Sequence, residues 1–245
     1  KDLSLFAPRC FALMAMMSKK ITELPTMRNC EHVFADRDDA GRVLAEMLES
    51  DIERDALVLG IPAGGVPVAA AIARQLNLPL DVAVVSKITL PWNTEAGYGA
   101  VAFDGTVRLN DELVLRQGLD AQLVEEGIET TKRKVIRRVK KLRGDRMFSE
   151  VAGRPLILVD DGLASGFTLR VAVEALQKQG ANRIHVAVPT GHADSVREIS
   201  QLVEAIYCAN IREGWSFAVA DAYQRWVDIE EDDIIDLLKA TPADS

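Results

Sequence analysis

Two adjacent carboxylates, Asp160 and Asp161, end the apolar run Leu156-Ile157-Leu158-Val159 and are followed by Gly162-Leu163-Ala164-Ser165-Gly166-Phe167-Thr168. The residue types divide the chemistry between them. Gly162 and Gly166 allow a tight loop whose backbone N–H groups turn inward, and the hydroxyls of Ser165 and Thr168 add donors where a helix begins. That arrangement suits a phosphate. Two carboxylates repel a phosphate, so Asp160 and Asp161 must serve a different part of the ligand. They suit ribose 2′- and 3′-hydroxyls, directly or through a divalent cation. A sugar phosphate satisfies both halves of the stretch. An ordinary strand-to-helix turn with acidic capping explains the acids alone, without the glycines and hydroxyls that accompany them.

A phosphate loop works only if strands and helices hold it open. The run Leu156 to Val159 reads as a strand buried on both faces of a parallel sheet, with the amphipathic Leu169 to Gln179 as the helix after it. Upstream, Asp38 or Asp39 caps a helix over Ala40 to Glu49, and Ala56 to Ile61 is a strand. The loop Pro62-Ala63-Gly64-Gly65 leads into a helix over Val66 to Leu76, and Leu80 to Ser86 is the next buried strand. Tyr98 to Phe103 and Thr106 to Leu109 form a hairpin turned at Asp104-Gly105. The letters of a dinucleotide fingerprint begin at Gly97, but they enter a hairpin where a helix is required.

A long helix over Leu119 to Leu142 follows, then, past the opening stretch, the strand Ile184 to Val188. A helix from about Ala193 to Leu202, a short strand around Ala205 to Tyr207 and a terminal helix around Ile229 to Leu238 complete the chain. The expected fold is α/β: an open parallel sheet of about five strands flanked by helices, with a β-hairpin insertion. In such a sheet ligands bind beyond the carboxyl ends of the strands, where strand order reverses. Residues 62–65, 87–95 and 160–168 are predicted to lie on that edge, with 190–192 after a fourth strand. His192 is the one histidine expected there, as a titrating group or as a solvated residue at a helix start.

The whole chain sets outer bounds. Its 245 residues carry 48% hydrophobic residues and a formal net charge of −8, which argues against wholesale binding to nucleic acid or an anionic membrane. Cys10, Cys30 and Cys208 lack metal-ligand spacing and read as reduced cytosolic thiols, so the expected location is cytoplasmic. The apolar patch Cys10 to Met17 is too short to span a bilayer and has no clear cleavage site, so residues 1–26 read as peripheral. The long helix is acidic early and basic late, from Lys132 to Lys141, an order that complements its dipole. A solvated face is the first reading of that basic end. An RNA contact or a homodimer contact is the lesser one.

The window Leu156 to Thr168 resembles the 5-phosphoribosyl-1-diphosphate (PRPP) signature of the type I phosphoribosyltransferases. Gly60 to Ala69 is similar to the pyrophosphate loop of a bacterial and archaeal group within that family, whose substrate is unassigned, and Ser86 to Val101 to its Lys-containing segment. Phe217-Ala218-Val219 with Tyr223 also resembles the group, so the likeness runs from about Phe34 to Leu238. It implies a domain over 34–245, an extension over 1–33, an insertion at about 88–110 and a small hood at about 208–245. It implies a glycosyl transfer in nucleotide metabolism, moving ribose 5-phosphate from PRPP to a nitrogenous acceptor with release of pyrophosphate.

The roles implied fall on residues of this chain. Gly162, Leu163, Ala164, Ser165, Gly166 and Thr168 would bind the 5-phosphate, and Ala63, Gly64 and Gly65 the pyrophosphate. Asp160 and Asp161 would hold the ribose and Mg²⁺, Lys87 would be the cation of the reaction, and Glu95 a metal or substrate contact. Phe217, Tyr223 and Trp226 would be either a stacking wall over the base or ordinary packing against the sheet. Two departures stand out: Ala63 where the group carries Arg, and Ser86 where it carries a basic residue. Ala164 stands where purine-salvage relatives place an Asp, which takes support from a purine-type mechanism. These departures keep open a second reading, a non-catalytic PRPP- or nucleotide-binding regulator. A phosphate-ester hydrolase reusing the cradle lacks an obvious nucleophile.

Overall fold

The computed structural model of the protein describes residues 20–241, with the side chains of residues 94–96 outside the description. The expected role of the Cys10 to Met17 patch and the side chain of Glu95 therefore fall outside the described residues. Nine strands are described: β1 (Ile21–Thr22), β2 (Leu57–Gly60), β3 (Leu80–Val82), β4 (Val85–Leu90), β5 (Asn93–Ala102), β6 (Val107–Leu109), β7 (Leu156–Val159), β8 (Ile184–His192) and β9 (Ala205–Arg212). The helices are α1 (Arg37–Leu48), α2 (Gly65–Leu76), α3 (Asp111–Arg116), α4 (Ala121–Arg143), α5 (Phe167–Lys178), α6 (Ala193–Ser200) and α7 (Glu231–Ala240).

The main sheet has six strands in the order β1-β9-β8-β7-β2-β3, every neighbouring pair parallel. Alternating side chains fill two cores. Val58, Ile157, Val159 and Ala187 pack on one face with α1, α2 and α7, while Leu57, Leu59, Leu156, Leu158 and Val186 pack on the other with α5 and α6. The sheet exceeds the expected strand number by one because Ile21–Thr22, within the segment read as an extension, pairs with Ile206 and Tyr207. Two residues with half-exposed side chains leave no strand pattern to read in the sequence.

The run expected to be one strand, Leu80 to Ser86, is divided. Leu80–Val82 pairs with β2, and Val85–Leu90 turns away to pair antiparallel with β5. An apolar run buried throughout carries no mark of such a bend. The expected hairpin is accordingly a three-stranded sheet, β4-β5-β6. The cap of α1 is Asp36, whose Oδ1 accepts from the Asp39 N–H at 3.0 Å; Asp38 and Asp39 lie inside the first turn.

Helix α4 packs on β4 and β5, and α7 lies against both α2 and α4. Arg143 at the end of α4 forms a buried ion pair with Asp81 of β3 at 3.2 Å, and its guanidinium lies over Phe148 at 4.2 Å. This anchor fixes which face of α4 meets the sheet edge. Among the described residues no helix is long and apolar enough to cross a membrane.

Candidate active site

Strand order reverses between β2 and β7, since β2 leads outward to β3 while β7 leads the other way to β8 and β9. The loops after these two strands share a cleft of about 390 Å³, a size suited to a small-molecule ligand. Ala63 and Gly64 line it from the β2 loop, and Asp160, Asp161, Gly162, Leu163, Ala164, Ser165, Gly166 and Thr168 from the β7 loop. Gly65 lies just behind, opening α2 against the backbone of Val159 and Asp160.

The β7-loop half of the cleft is built from backbone. Gly166 sits at φ +71°, a left-handed conformation that favours glycine, and from it α5 starts with no side-chain cap from that residue. The first turn, Phe167 to Leu169, lines the cleft, and the Phe167 N–H makes one long contact to Ser165 Oγ at 3.4 Å. The loop is pinned from beneath by β8. The Leu163 N–H donates to the Thr190 carbonyl and the His192 N–H to the Leu163 carbonyl, each at 2.9 Å. Ser195 Oγ donates to the Ala164 carbonyl.

This pinning corrects the expectation for residues 190–192. They continue β8 as a strand, Thr190 is fully buried, and His192 caps α6 and contacts the Gly214 carbonyl through Nε2 at 3.1 Å. His192 supports the loop from behind and is not among the cleft-lining residues.

The acidic pair is asymmetric. Asp161 Oδ2 accepts from Arg37 Nε and pairs with Nη2, both at 2.9 Å, and Arg37 Nη1 donates to the Val227 carbonyl at 2.8 Å. Asp160 has no such cation against it; its Oδ1 accepts from the Asp161 N–H at 2.9 Å. Burial pushes the Asp160 carboxyl well above the ordinary aspartate range, with the Asp161 charge adding to the rise and Lys87 opposing it. Burial also raises Asp161, against the pull of Arg37. A Cβ on Gly64 would fall 1.7 Å from Asp161 Oδ2, so the β2 loop reaches the acids only without a side chain there.

Lys87 lines the cleft from β4 together with Val85 and Thr89, the period-2 positions of one strand face. The expected loop over 87–95 is thus largely the β4–β5 hairpin. The aromatic residues of the C-terminal segment do not wall the cleft. Tyr223 is buried against Phe34, with its hydroxyl donating to the Asp161 carbonyl at 2.6 Å. Trp226 covers the Arg37 guanidinium at 3.8 Å, and Phe217 meets His192 edge-on at 5.9 Å. Val219 is the residue of this segment that lines the cleft.

Sequence reasoning missed Arg37, Lys134 and Arg138. Arg37 is hidden among the charged residues opening α1. Lys134 and Arg138 line the cleft from α4, whose basic end reads in the sequence first as a solvated face and second as an RNA or homodimer contact. Arg133, Arg137 and Lys140 do face solvent. The one available signal was the i,i+4 spacing of 134 and 138, which places both on one helix face.

Residues 35–222 match the model of the phosphoribosyl transferase domain. A protein of Mycobacterium tuberculosis (strain H37Rv) that carries the name phosphoribosyl transferase as a provisional assignment is 34% identical over 206 residues, covering 84% of this chain and 46% of that protein. An amidophosphoribosyltransferase of Staphylococcus aureus (strain MRSA252) is 26% identical over 182 residues, covering 71% of this chain and 29% of that protein. The chain thus spans less than half the length of these curated relatives. The crystal structure of TT1426 from Thermus thermophilus is 30% identical, covers 85% of this chain and 98% of that one, and superposes with a TM-score of 0.69.

Proposed function

The chain belongs to the phosphoribosyl transferase domain family, and from that premise we propose that it transfers the ribose 5-phosphate of PRPP to a nitrogenous acceptor, releasing pyrophosphate. The observation that carries this reading is the meeting, at the reversal of strand order, of the uncapped N-terminus of α5, the acidic pair and the glycine loop in one cleft. In this reaction the C1–N bond forms as the C1–O bond breaks, and pyrophosphate leaves with the bonding pair. Positive charge gathers on the sugar and negative charge on the leaving group, so electrostatic stabilisation is the main task.

Within this reading the loop from Gly162 to Thr168 binds the 5-phosphate, and Asp160 accepts from the ribose hydroxyls. Asp161, held by Arg37, fixes the floor beneath them. Lys87 supplies positive charge on the pyrophosphate side. Mg²⁺ fits the donor set: Asp160 is a carboxylate without a paired cation, and Mg²⁺ characteristically completes its shell with waters and substrate oxygens. Asp160 would hold it, with Asp161 through water, and the ion would act as Lewis acid toward the leaving group. Ala164 offers no carboxylate to receive a proton from the acceptor, which favours acceptors that need no base at that position.

Isothermal titration with PRPP and MgCl₂, followed by pyrophosphate release against a panel of nitrogenous acceptors, tests the proposal. Binding with turnover is expected. Binding without release across the panel would favour the non-catalytic regulator suggested by Ala63 and Ser86, and no binding by the folded protein overturns both readings.

A further inference from the structure

One wall of the cleft is completed by a helix outside the segments that carry the family resemblance. Lys134 and Arg138, one turn apart on α4, stand there beside Ser86 and the Pro62 to Gly64 segment. Among the described residues three buried side-chain atoms have no hydrogen-bond partner, and two of them, Ser86 Oγ and Arg138 Nε, belong to this wall. Ser86 is 5% exposed. Buried groups left unpaired are costly, so two in one wall point to a ligand that supplies acceptors.

Arg138 is only partly compensated. Its side chain is 15% exposed, its Nη1 reaches the Pro62 carbonyl at 3.4 Å, and its Nε lies 3.4 Å from Glu231 of α7 outside hydrogen-bond geometry. Burial lowers its pKa, with Glu231 opposing. Glu231 is shared with Lys141 at 3.1 Å. No ion pair among the described residues engages Lys134. The helix is not free to carry these cations elsewhere, since Val135, Leu142 and the Arg143–Asp81 pair fix its inner face. Ala63 and Ser86, on the facing segments, are neutral where the family resemblance expects cations.

We propose that Lys134 and Arg138, with the Ser86 hydroxyl, bind the pyrophosphate group in place of the cations that positions 63 and 86 lack, and that Glu231 occupies Arg138 until the anion arrives. The proposal rests on the PRPP reading of the cleft. Arg138 offers a planar set of donors to phosphate oxygens and Lys134 a mobile point charge, which together match a group carrying several negative charges. Displacement of Glu231 from Arg138 leaves that carboxylate paired with Lys141.

Isothermal titration with inorganic pyrophosphate and, separately, ribose 5-phosphate tests the assignment on the wild-type chain, Lys134→Ala, Arg138→Gln and Glu231→Gln. Each cation variant should weaken pyrophosphate binding by roughly tenfold, the usual effect of losing a charge-assisted contact, with ribose 5-phosphate affinity changed less than twofold. Glu231→Gln should tighten pyrophosphate severalfold, which a merely structural role for Arg138 does not produce. Lys134 is exposed, so its variant stays informative if Arg138→Gln fails to fold. Unchanged pyrophosphate affinity in Lys134→Ala and in folded Arg138→Gln, or no pyrophosphate binding by the wild type, overturns the inference. Failure of ribose 5-phosphate alone overturns the PRPP reading while the anion site stands.

Discussion

Replacing Arg37 with Met removes the cation from Asp161 while keeping most of the side-chain stem. The Arg37 side chain is 8% exposed and that of Asp161 18%, with two guanidinium nitrogens at 2.9 Å from one carboxylate oxygen. Breaking a buried pair from one side costs about 3–5 kcal/mol, because the remaining charge is left without compensation. Loss of the Trp226 contact adds roughly 0.5–1 kcal/mol at this partly exposed ring. These effects share one guanidinium and do not add in full, so the expected loss stays at about 3–5 kcal/mol. For a chain of this size that is a fall in Tm of roughly 6–20 °C.

The charge origin gives the loss a pH signature. Burial raises the Asp161 carboxyl even with Arg37 beside it, and removing Arg37 raises it further. A carboxyl raised in the folded state opposes folding as pH climbs through its folded pKa, whereas below the unfolded value of about 3.9 both states are protonated. Urea denaturation followed by circular dichroism should therefore show a large deficit at pH 8 that shrinks toward pH 4.5. Asp161→Asn in the Arg37→Met background should recover at least half of it. Equal deficits at the two pH values, a loss under about 1 kcal/mol, or no recovery in the double variant would refute the buried-charge reasoning.

Three other outcomes follow from the same site. Asp160→Asn should raise Tm by roughly 2–4 °C at pH 8, equivalent to about 1 kcal/mol, with the gain vanishing near pH 4 in scanning calorimetry, because a carboxyl whose pKa is raised by burial opposes folding above its unfolded value, where folding must take up a proton or bury the charge, and not below it; the same variant should bind PRPP more weakly. In Gly64→Ala the new methyl meets the Asp161 carboxylate, so either the loop or the acid must shift. A stability loss of about 1–3 kcal/mol is expected with PRPP affinity down at least severalfold, and wild-type values for both would show that the loop yields freely. Thr190→Val leaves the buried Asn210 Oδ1 without the hydroxyl that reaches it at 2.7 Å. That change should cost about 1–3 kcal/mol in urea, and a neutral result would mean that Asn210 finds another donor.

Much of the site was readable because its parts are local. The β7 loop compresses strand, acids, glycines and hydroxyls into neighbouring residues, and each type has one backbone reason to be there. The β2 loop was readable for the same cause, its glycine required where the chain passes the acids. Residues whose role depends on a distant partner were not readable. Arg37 is one charge among several at the start of α1, and only the fold brings it to Asp161. Thr190 and His192 sit after an apolar run that continues into strand through pairing with Asn210 and Arg212 across the sheet. Glu231 meets Arg138 only because α7 packs against α4.

The sequence by itself determined which contiguous glycines, acids and hydroxyls would meet at one loop beside the cleft, because their spacing is written in the chain. It also determined the parallel sheet that holds the loop, through runs of apolar residues of strand length. Tertiary structure alone decided how charge is distributed around that loop. One aspartate is given to Arg37 and the other left without an ion pair among the described residues, and the neutral Ala63 and Ser86 share the cleft with two cations from a helix anchored at Arg143 and Asp81. Charge acts through space, so its pairing is settled by which surfaces the packed core brings face to face.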